Sequence, residues 1–527
     1  MKNLSLPFLA LILLFVACKS EKKQAATTEN NLKKAIPYRE GKLWGLADEN
    51  ANILVKPQYT FISLSYGETN TNPNLFAVFE KGKWGVIDEK GKIIIPIQFW
   101  RVDILPNCIV VGDTPEDKSA LYNTEGKLLL PAEYEAIDYV KPYNEKWRNF
   151  LLIHQKGKVG IYDISQEKTI LPCNYELTSI SVSNADAEVF TLVQNGKAAF
   201  FDTKGKQVSD FKYLEYGGGT IMSEGYAKVQ CSNGLWGVVD KNGKEVVPCQ
   251  YKNMGLSVCN SIISFEGKNG KWGYLNVSSG KEIVKPEYDR ARDFSDGFGE
   301  VEKNRKVGFV DITGKVVVPL EYDGALNTQQ GICFMNKKGN WFPIRLSENR
   351  PINNEIYAGG NFDFKAEFAT VSCKNENSLM QGLINTKGEV VVPCRPSDFG
   401  FTIYPQNAIL QENEKSFVVF SLPDGKELIK TTKQPQIEKD FMLIAQNDKY
   451  MLTDLKANKI LEINAPYVTF ASGYLLVSNK EPDTDDLIPR IDDSGNLVAP
   501  PLEKRYIPDV EAVRGLMNVN GKKFWKD

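Results

Sequence analysis

The sequence predicts an all-β chain built from tandem units of about 37 residues, each a β-meander centred on a hairpin. Three observations predict it. A Trp-Gly pair or its equivalent returns at near-constant spacing, a turn signature follows at a fixed distance, and a Pro and then an aromatic residue close each copy.

The clearest copies are KWGVIDEKGKIIIP from Lys83 to Pro96, LWGVVDKNGKEVVP from Leu235 to Pro248 and KVGFVDITGKVVVP from Lys306 to Pro319. LWGLADENANILVKP from Leu43, KVGIYDISQEKTILP from Lys158, KWGYLNVSSGKEIVKP from Lys271 and QGLINTKGEVVVP from Gln381 follow the same template. Eroded copies include KYMLTDLKANKILEI from Lys449 and IPRIDDSGNLVAP from Ile488. The glycine or its equivalent falls near 45, 85, 120, 160, 199, 237, 273, 308, 342, 382, 417, 451 and 490, thirteen frames at steps of 34 to 40 residues.

Each element of the unit has a physical reason. Ahead of the Trp-Gly pair lies an apolar alternation ending in a polar turn, as in FAVFEKGK (76–83), which reads as a first strand. The second strand carries the pair itself. Three residues after the glycine comes Asp48, Asp88, Asp240 or Asp311, or Asn123, Asn276 or Asn385, and a Gly such as Gly91, Gly243 or Gly314 usually follows three later. An Asp or Asn opening a turn accepts from the amides ahead of it, and the closing Gly takes positive φ without steric cost. The third strand is short and β-branched and stops at Pro96, Pro131, Pro172, Pro248, Pro319 or Pro393, since Pro cannot donate to a ladder. Trp44, Trp84, Trp236, Trp272 and Trp341 share one slot. A ring repeating beside Gly45, Gly85, Gly237 or Gly273 is expected to pack between successive units, the glycine leaving room for a backbone or ring to approach.

These motifs resemble the WG, or KWG, β-repeat family of bacteria. The resemblance is strongest from Tyr38 to Tyr322, so residues 36–345 read as well-formed repeats and 346–527 as degenerate ones. A unit this short cannot bury its own sheet faces and must stack on its neighbours. The expected architecture is an extended, solenoid-like array, with one or two β-propeller-like rings as the alternative, since a propeller closes with about 4–8 blades.

The N-terminus reads as an export signal. Residues 1–17 hold a short basic start and an apolar run from Leu4 to Ala17, which is too short to span a bilayer because a transmembrane helix needs about 20 residues. The run ends in Phe15-Val16-Ala17-Cys18, which resembles the lipobox of bacterial lipoproteins. The resemblance implies lipid attachment at Cys18, membrane anchoring and a place in the cell envelope, with Lys19 compatible with outer-membrane sorting. Residues 18–35 are polar and read as a flexible tether reaching ~20–25 Å.

Composition narrows the function classes. Lys plus Arg total 64 against 66 acidic residues, so no global field points to nucleic acid. His154 is the one histidine and so the sole candidate base for a Ser-His-Asp or Cys-His set, read as incidental in the strand FLLIHQ, and one imidazole is too few for a histidine-based metal site. Of nine cysteines, Cys173, Cys249 and Cys394 each follow a Pro at one recurring slot, expected as free buried thiols rather than a disulfide framework. Asp483, Asp485 and Asp486 with Asp492 and Asp493 form an acidic stretch expected to be solvated, without a recognised calcium-loop spacing. Gly217 to Gly219 read as a turn, because no Gly-Lys-Ser/Thr follows to cradle phosphate.

The expected function is therefore a non-catalytic, membrane-anchored repeat protein, without cofactor or metal. It would present a surface to a protein or glycan of the envelope. Alternatives are a carbohydrate-active hydrolase using carboxylates on loops near Asn70 to Asn74 or Asp483 to Asp486, and a structural spacer.

Overall fold

The structure, a computed structural model, describes residues 35–526 apart from 64–71, 73, 113–117, 141–146, 177–188, 215–221, 327, 360–366, 374–379, 447–448, 472–473, 480–489, 492–496 and 499–512. The export segment, Cys18, the tether up to residue 34, Gly217 to Gly219 and the acidic residues Asp483, Asp485, Asp486, Asp492 and Asp493 lie outside the described residues. All regular structure among the described residues is β, in small sheets of which none closes into a barrel.

Unit eight shows the plan. Strand a (Arg290–Ala291), strand b (Phe298–Lys303), strand c (Lys306–Asp311) and strand d (Val316–Tyr322) hydrogen-bond in that order, antiparallel throughout. Strands b, c and d are the three read from the sequence. Strand a is an addition of two residues in this unit, too short to leave a pattern.

The turn between c and d forms as its residues dictate. Asp311 Oδ1 accepts the amides of Thr313 at 2.8 Å and Lys315 at 3.1 Å, and Gly314 takes φ +85°. The same pair of bonds recurs at Asp88, Asn123, Asp240, Asn385 and Asp454.

Two glycines of the repeat serve two different approaches. The register of c against d slips at the glycine of the Trp-Gly pair, a bulge that folds strand d over strand c. A Cβ on Gly45 would lie 2.2 Å from the Val55 carbonyl oxygen, and one on Gly273 would lie 2.3 Å from that of Val284. The glycine thus makes room for the backbone of its own strand d. The turn glycine instead faces the preceding unit, where a Cβ on Gly243 would lie 2.3 Å from the Val208 oxygen and one on Gly126 2.4 Å from that of Ile94.

The aromatic after each Pro also has its reason. Tyr59 pairs across from Trp44, Phe99 from Trp84, Tyr251 from Trp236 and Tyr288 from Trp272. Such cross-strand ring pairs are units of sheet stabilisation.

Successive sheets pack face to face through apolar clusters, each drawn from two neighbouring units. Val307, Phe309 and Val318 of unit eight meet Cys333, Met335 and Ile344 of unit nine, and Phe368, Leu383 and Val392 of unit ten meet Ala408, Leu410 and Val418 of unit eleven. The last junction returns to the start. Leu476, Leu516 and Phe524 share a cluster with Ile36 and Trp44.

The all-β tandem array is as expected, but its ends are not free. The final strand, Trp525–Lys526, pairs in parallel with Ile36–Glu40, the Arg39 amide donates to the Phe524 oxygen at 3.1 Å, and the Gly41 amide donates to that of Lys526 at 2.9 Å. Lys526 and Glu40 add an ion pair at 3.0 Å. The sheet-to-sheet contacts therefore run round to where they began, the ring type of arrangement rather than an open one.

Two expectations are corrected. The thirteenth hairpin is not at 490, where a separate pair of short strands, Arg490–Ile491 and Leu497–Val498, lies instead. It stands on Val513–Met517 with Gly515 in the glycine slot and Asn518 accepting the amides of Asn520 and Lys522. A long insertion after Tyr474–Ser478 displaces the frame. The second correction concerns the cysteines. Cys249 is bonded to Cys231 and Cys394 to Cys373, with Cα atoms 6.1 and 6.2 Å apart, while Cys173 is a free thiol, its Sγ 3.2 Å from the Ile153 oxygen. The reason lies in the bulge. Strand d crosses over the glycine of strand c and brings its cysteine to strand b, so that a Cβ on Gly382 would lie 2.8 Å from Cys394 Sγ.

Candidate functional site

The residues that define the repeat are structural in position. Trp44 is fully buried and meets Phe61 of the next unit edge-on at 5.7 Å, Trp84 and Trp236 are buried, and Trp272 is half-buried. Gly45, Gly85, Gly237 and Gly273 are each crowded by strand d. His154 lies on strand b of unit four, its Nε2 3.4 Å from Asp138 Oδ2. Asn72 and Asn74, the described part of the loop near Asn70, line a shallow recess of about 260 Å³ with Asp88 and Glu125.

A different signal marks a site. One slot on strand b pairs with the residue just after the glycine of strand c. It holds Ala77, Val110, Leu152, Phe334, Leu443 and Leu476 in units two, three, four, nine, twelve and thirteen, and Thr191 and Thr370 in units five and ten. In units six, seven and eight it holds Lys228, Ser264 and Glu300. A charge at a slot between packed sheets costs stability unless it is paired, so this run departs from what folding alone selects.

The surroundings of these residues are polar and organised. The Lys228 ammonium sits 4.3 Å above the Trp236 ring, and burial lowers its pKa against the opposing pull of Asp293. Glu300 Oε1 lies 3.2 Å from Arg292 Nε, and burial raises the carboxyl above its ordinary range although Arg292 opposes the rise. Tyr274, fully buried, places its hydroxyl 2.6 Å from the Arg292 carbonyl and 2.9 Å from that of Glu300, its one proton shared between them, tying unit seven to the two segments that carry the pair. Asp293 accepts from the amides of Leu256 and Ser257, both at 3.0 Å, so it closes the hairpin of unit seven.

Beyond Glu300 opens a cleft of about 550 Å³ between units eight and nine. Arg292, Asp296, Phe298, Glu300 and Phe309 form one side, and Leu326, Thr328 and Gln330 form the other. Two tight hairpins stand at its rim. Ser295 and Phe298 exchange both backbone hydrogen bonds, as do Gln329 and Ile332, with Asp296 and Gln330 at positive φ. Asp296 Oδ2 accepts from the Gly331 amide at 3.3 Å and Ser295 Oγ donates to the Thr328 oxygen at 3.2 Å, fastening one hairpin to the other.

Sequence reasoning missed this cleft. The signal was present as YAKVQ, IISFE and FGEVEK at equivalent places, three consecutive strands that carry Lys, Ser and Glu at a slot otherwise held by apolar residues or Thr.

Six stretches of the chain, 44–83, 84–101, 236–272, 272–306, 308–341 and 382–395, match the family described as WG containing repeat. WG repeats are thus found across the chain, and the same strands recur between and beyond the matched stretches. None of the curated proteins matches this chain. Among solved structures, the computationally designed Ika8 protein is similar at 10% identity and TM-score 0.25, over 58% of this chain and 93% of that one. A eukaryotic initiation factor is similar at 10% identity and TM-score 0.29, over 82% and 96%. BamB from Moraxella catarrhalis is similar at 11% identity and TM-score 0.20, over 72% and 90%. Likenesses this slight say nothing further about this chain.

Proposed function

We propose that the chain is a non-catalytic interaction protein, lipid-anchored at Cys18 on the outer membrane of a bacterial cell envelope, that presents its repeat array to a protein or glycan partner. One observation carries the reading. The recurrent Asp, Asn, Gly and Trp residues are spent on turns, bulges and junctions, while of the charges that break the pattern Glu300 stands with Arg292 and Asp293 in one cleft and Lys228 feels the charge of Asp293. Residues that folding does not require, placed on rigid elements at a concave surface, fit a binding role. The bonds Cys231–Cys249 and Cys373–Cys394 support an oxidising compartment outside the cytoplasm.

The test uses the soluble chain 19–527 as bait against envelope extracts, with crosslinking and identification of what is retained. Retention of one specific protein or polysaccharide, lost on replacing Lys228 and Glu300, is expected. Retention that those replacements leave intact would overturn the assignment of the surface. Mass spectrometry of the mature N-terminus checks the lipid.

Glu300 also favours a second reading, hydrolysis of glycans. A buried carboxyl with a raised pKa is the form a general acid takes in glycoside cleavage. Turnover of labelled glycans that disappears in Glu300→Gln would put this reading first.

A further inference from the structure

We infer that the cleft between units eight and nine binds a neutral saccharide, an inference that rests on the interaction reading above and narrows it to one ligand class. The carboxylates of the cleft are held in place from within the protein: Glu300 by Arg292, Asp293 by the hairpin amides of Leu256 and Ser257, and Asp296 by the Gly331 amide. A carboxylate held in this way still keeps lone pairs that accept further hydrogen bonds.

Hydroxyl groups suit such a surface, because each can accept from one protein group and donate to another. The walls offer both roles within one cleft. Arg292 donates, Glu300 and Asp296 accept, and Gln330 on the facing hairpin does both. Phe298, partly exposed, supplies the apolar counterpart, a surface for the C–H face of a pyranose ring. The cleft is open to solvent, and its volume of about 550 Å³ falls in the range of small-ligand sites, about 300–1,000 Å³. Both hairpins are closed by paired backbone bonds and fastened to each other, so little ordering is left to offset on binding.

The test titrates the soluble chain 19–527 with cellotriose, maltotriose and chitotriose, by calorimetry and saturation-transfer NMR, at low and high salt. At least one trisaccharide is expected to bind with an affinity unaffected by salt, to weaken tenfold or more in Gln330→Ala and in Glu300→Gln, and to bind normally in Glu125→Gln at the recess between units two and three. Gln330 is an exposed turn residue, so its replacement leaves the fold intact even where Glu300→Gln does not. Absence of binding by all three sugars overturns the inference. Binding that both cleft variants leave unchanged overturns it as well, and so does steeply salt-dependent binding of trilysine with no sugar bound. These outcomes do not touch the interaction reading, which the extract experiment decides separately. Cleavage of a bound trisaccharide would sink the non-catalytic reading and leave the cleft assigned.

Discussion

Replacing Gln155 by Cys should create a third disulfide, with Cys173. Strand c glycines let strand d cross to strand b, and two of the three Pro-Cys pairs use that crossing to bond a cysteine at the end of strand b. The position equivalent to Cys231 and Cys373 in unit four is Gln155, which pairs with Lys158 two residues before Gly160, as Cys373 pairs with Met380 two before Gly382. Gln155 and Cys173 are separated by 18 residues, the same separation as Cys231 and Cys249. The free Cys173 thiol already points to that strand, at the Ile153 oxygen. Loop-closure entropy for a loop of this length corresponds to about 3 kcal/mol against opening of the unit. Peptide mapping under non-reducing conditions reads the bond, and hydrogen exchange of strands Phe150–Gln155 and Lys168–Tyr175 with and without reductant reads the stabilisation. If both thiols of oxidised Gln155→Cys remain open to alkylation in denaturant, the crossing is not a property of the slot and the reasoning fails.

Other expectations follow from the same contacts. Gly273→Ala should cost about 3 kcal/mol, because its Cβ would lie 2.3 Å from a backbone oxygen that cannot move away cheaply; Gly41→Ala, at φ +58° with open space around it, should cost only ~1 kcal/mol, and urea melts compare the two. Phe524→Ala empties a fully buried site at the junction of the last and first units and should cost about 3–5 kcal/mol, with a larger radius of gyration by small-angle scattering if the array opens there. Glu300 has a raised folded pKa, so the folded state holds its proton more tightly than the unfolded chain does. The contribution of Glu300 is therefore present below the ordinary value of 4.5 and is lost as pH rises through the higher folded value. The stability of the wild type relative to Glu300→Gln, from urea melts at pH 4 to 7, should fall with rising pH, and a rise would contradict the assigned burial. Asp240→Ala removes the acceptor of the Asn242 and Lys244 amides and should cost ~1–2 kcal/mol in the same melts.

The local grammar was legible because each turn is made by residues within a few positions of one another. Asp311 and Gly314 sit in their own unit and leave a mark every 34 to 40 residues. What could not be read depends on distant or irregular partners. Cys173, Cys249 and Cys394 look alike, and their fates differ only through Cys231 and Cys373, which lie outside the shared slot. The last hairpin was displaced by an insertion, so its Gly515 fell outside the expected frame. Return of the array to its first unit rests on Trp525 and Lys526, whose partners Arg39 and Glu40 stand at the other end of the chain. The cleft was half legible: Lys228 and Glu300 break the pattern of their slot visibly, but nothing local says that Arg292 or Gln330 would stand near Glu300.

That return has a consequence in time. Residues 36–59 emerge from the ribosome long before Trp525–Lys526, yet the sheet they form is completed by that strand. Such a long-range pairing forms slowly, because the whole intervening chain must be ordered before the two ends can meet. A chain that stopped before Trp525 would carry every WG stretch and still leave Arg39 and Glu40 with an unanswered edge, open to strands from other chains. A sheet begun early is thus finished late, and its exposed edge distinguishes a chain that lacks this strand from one that has it.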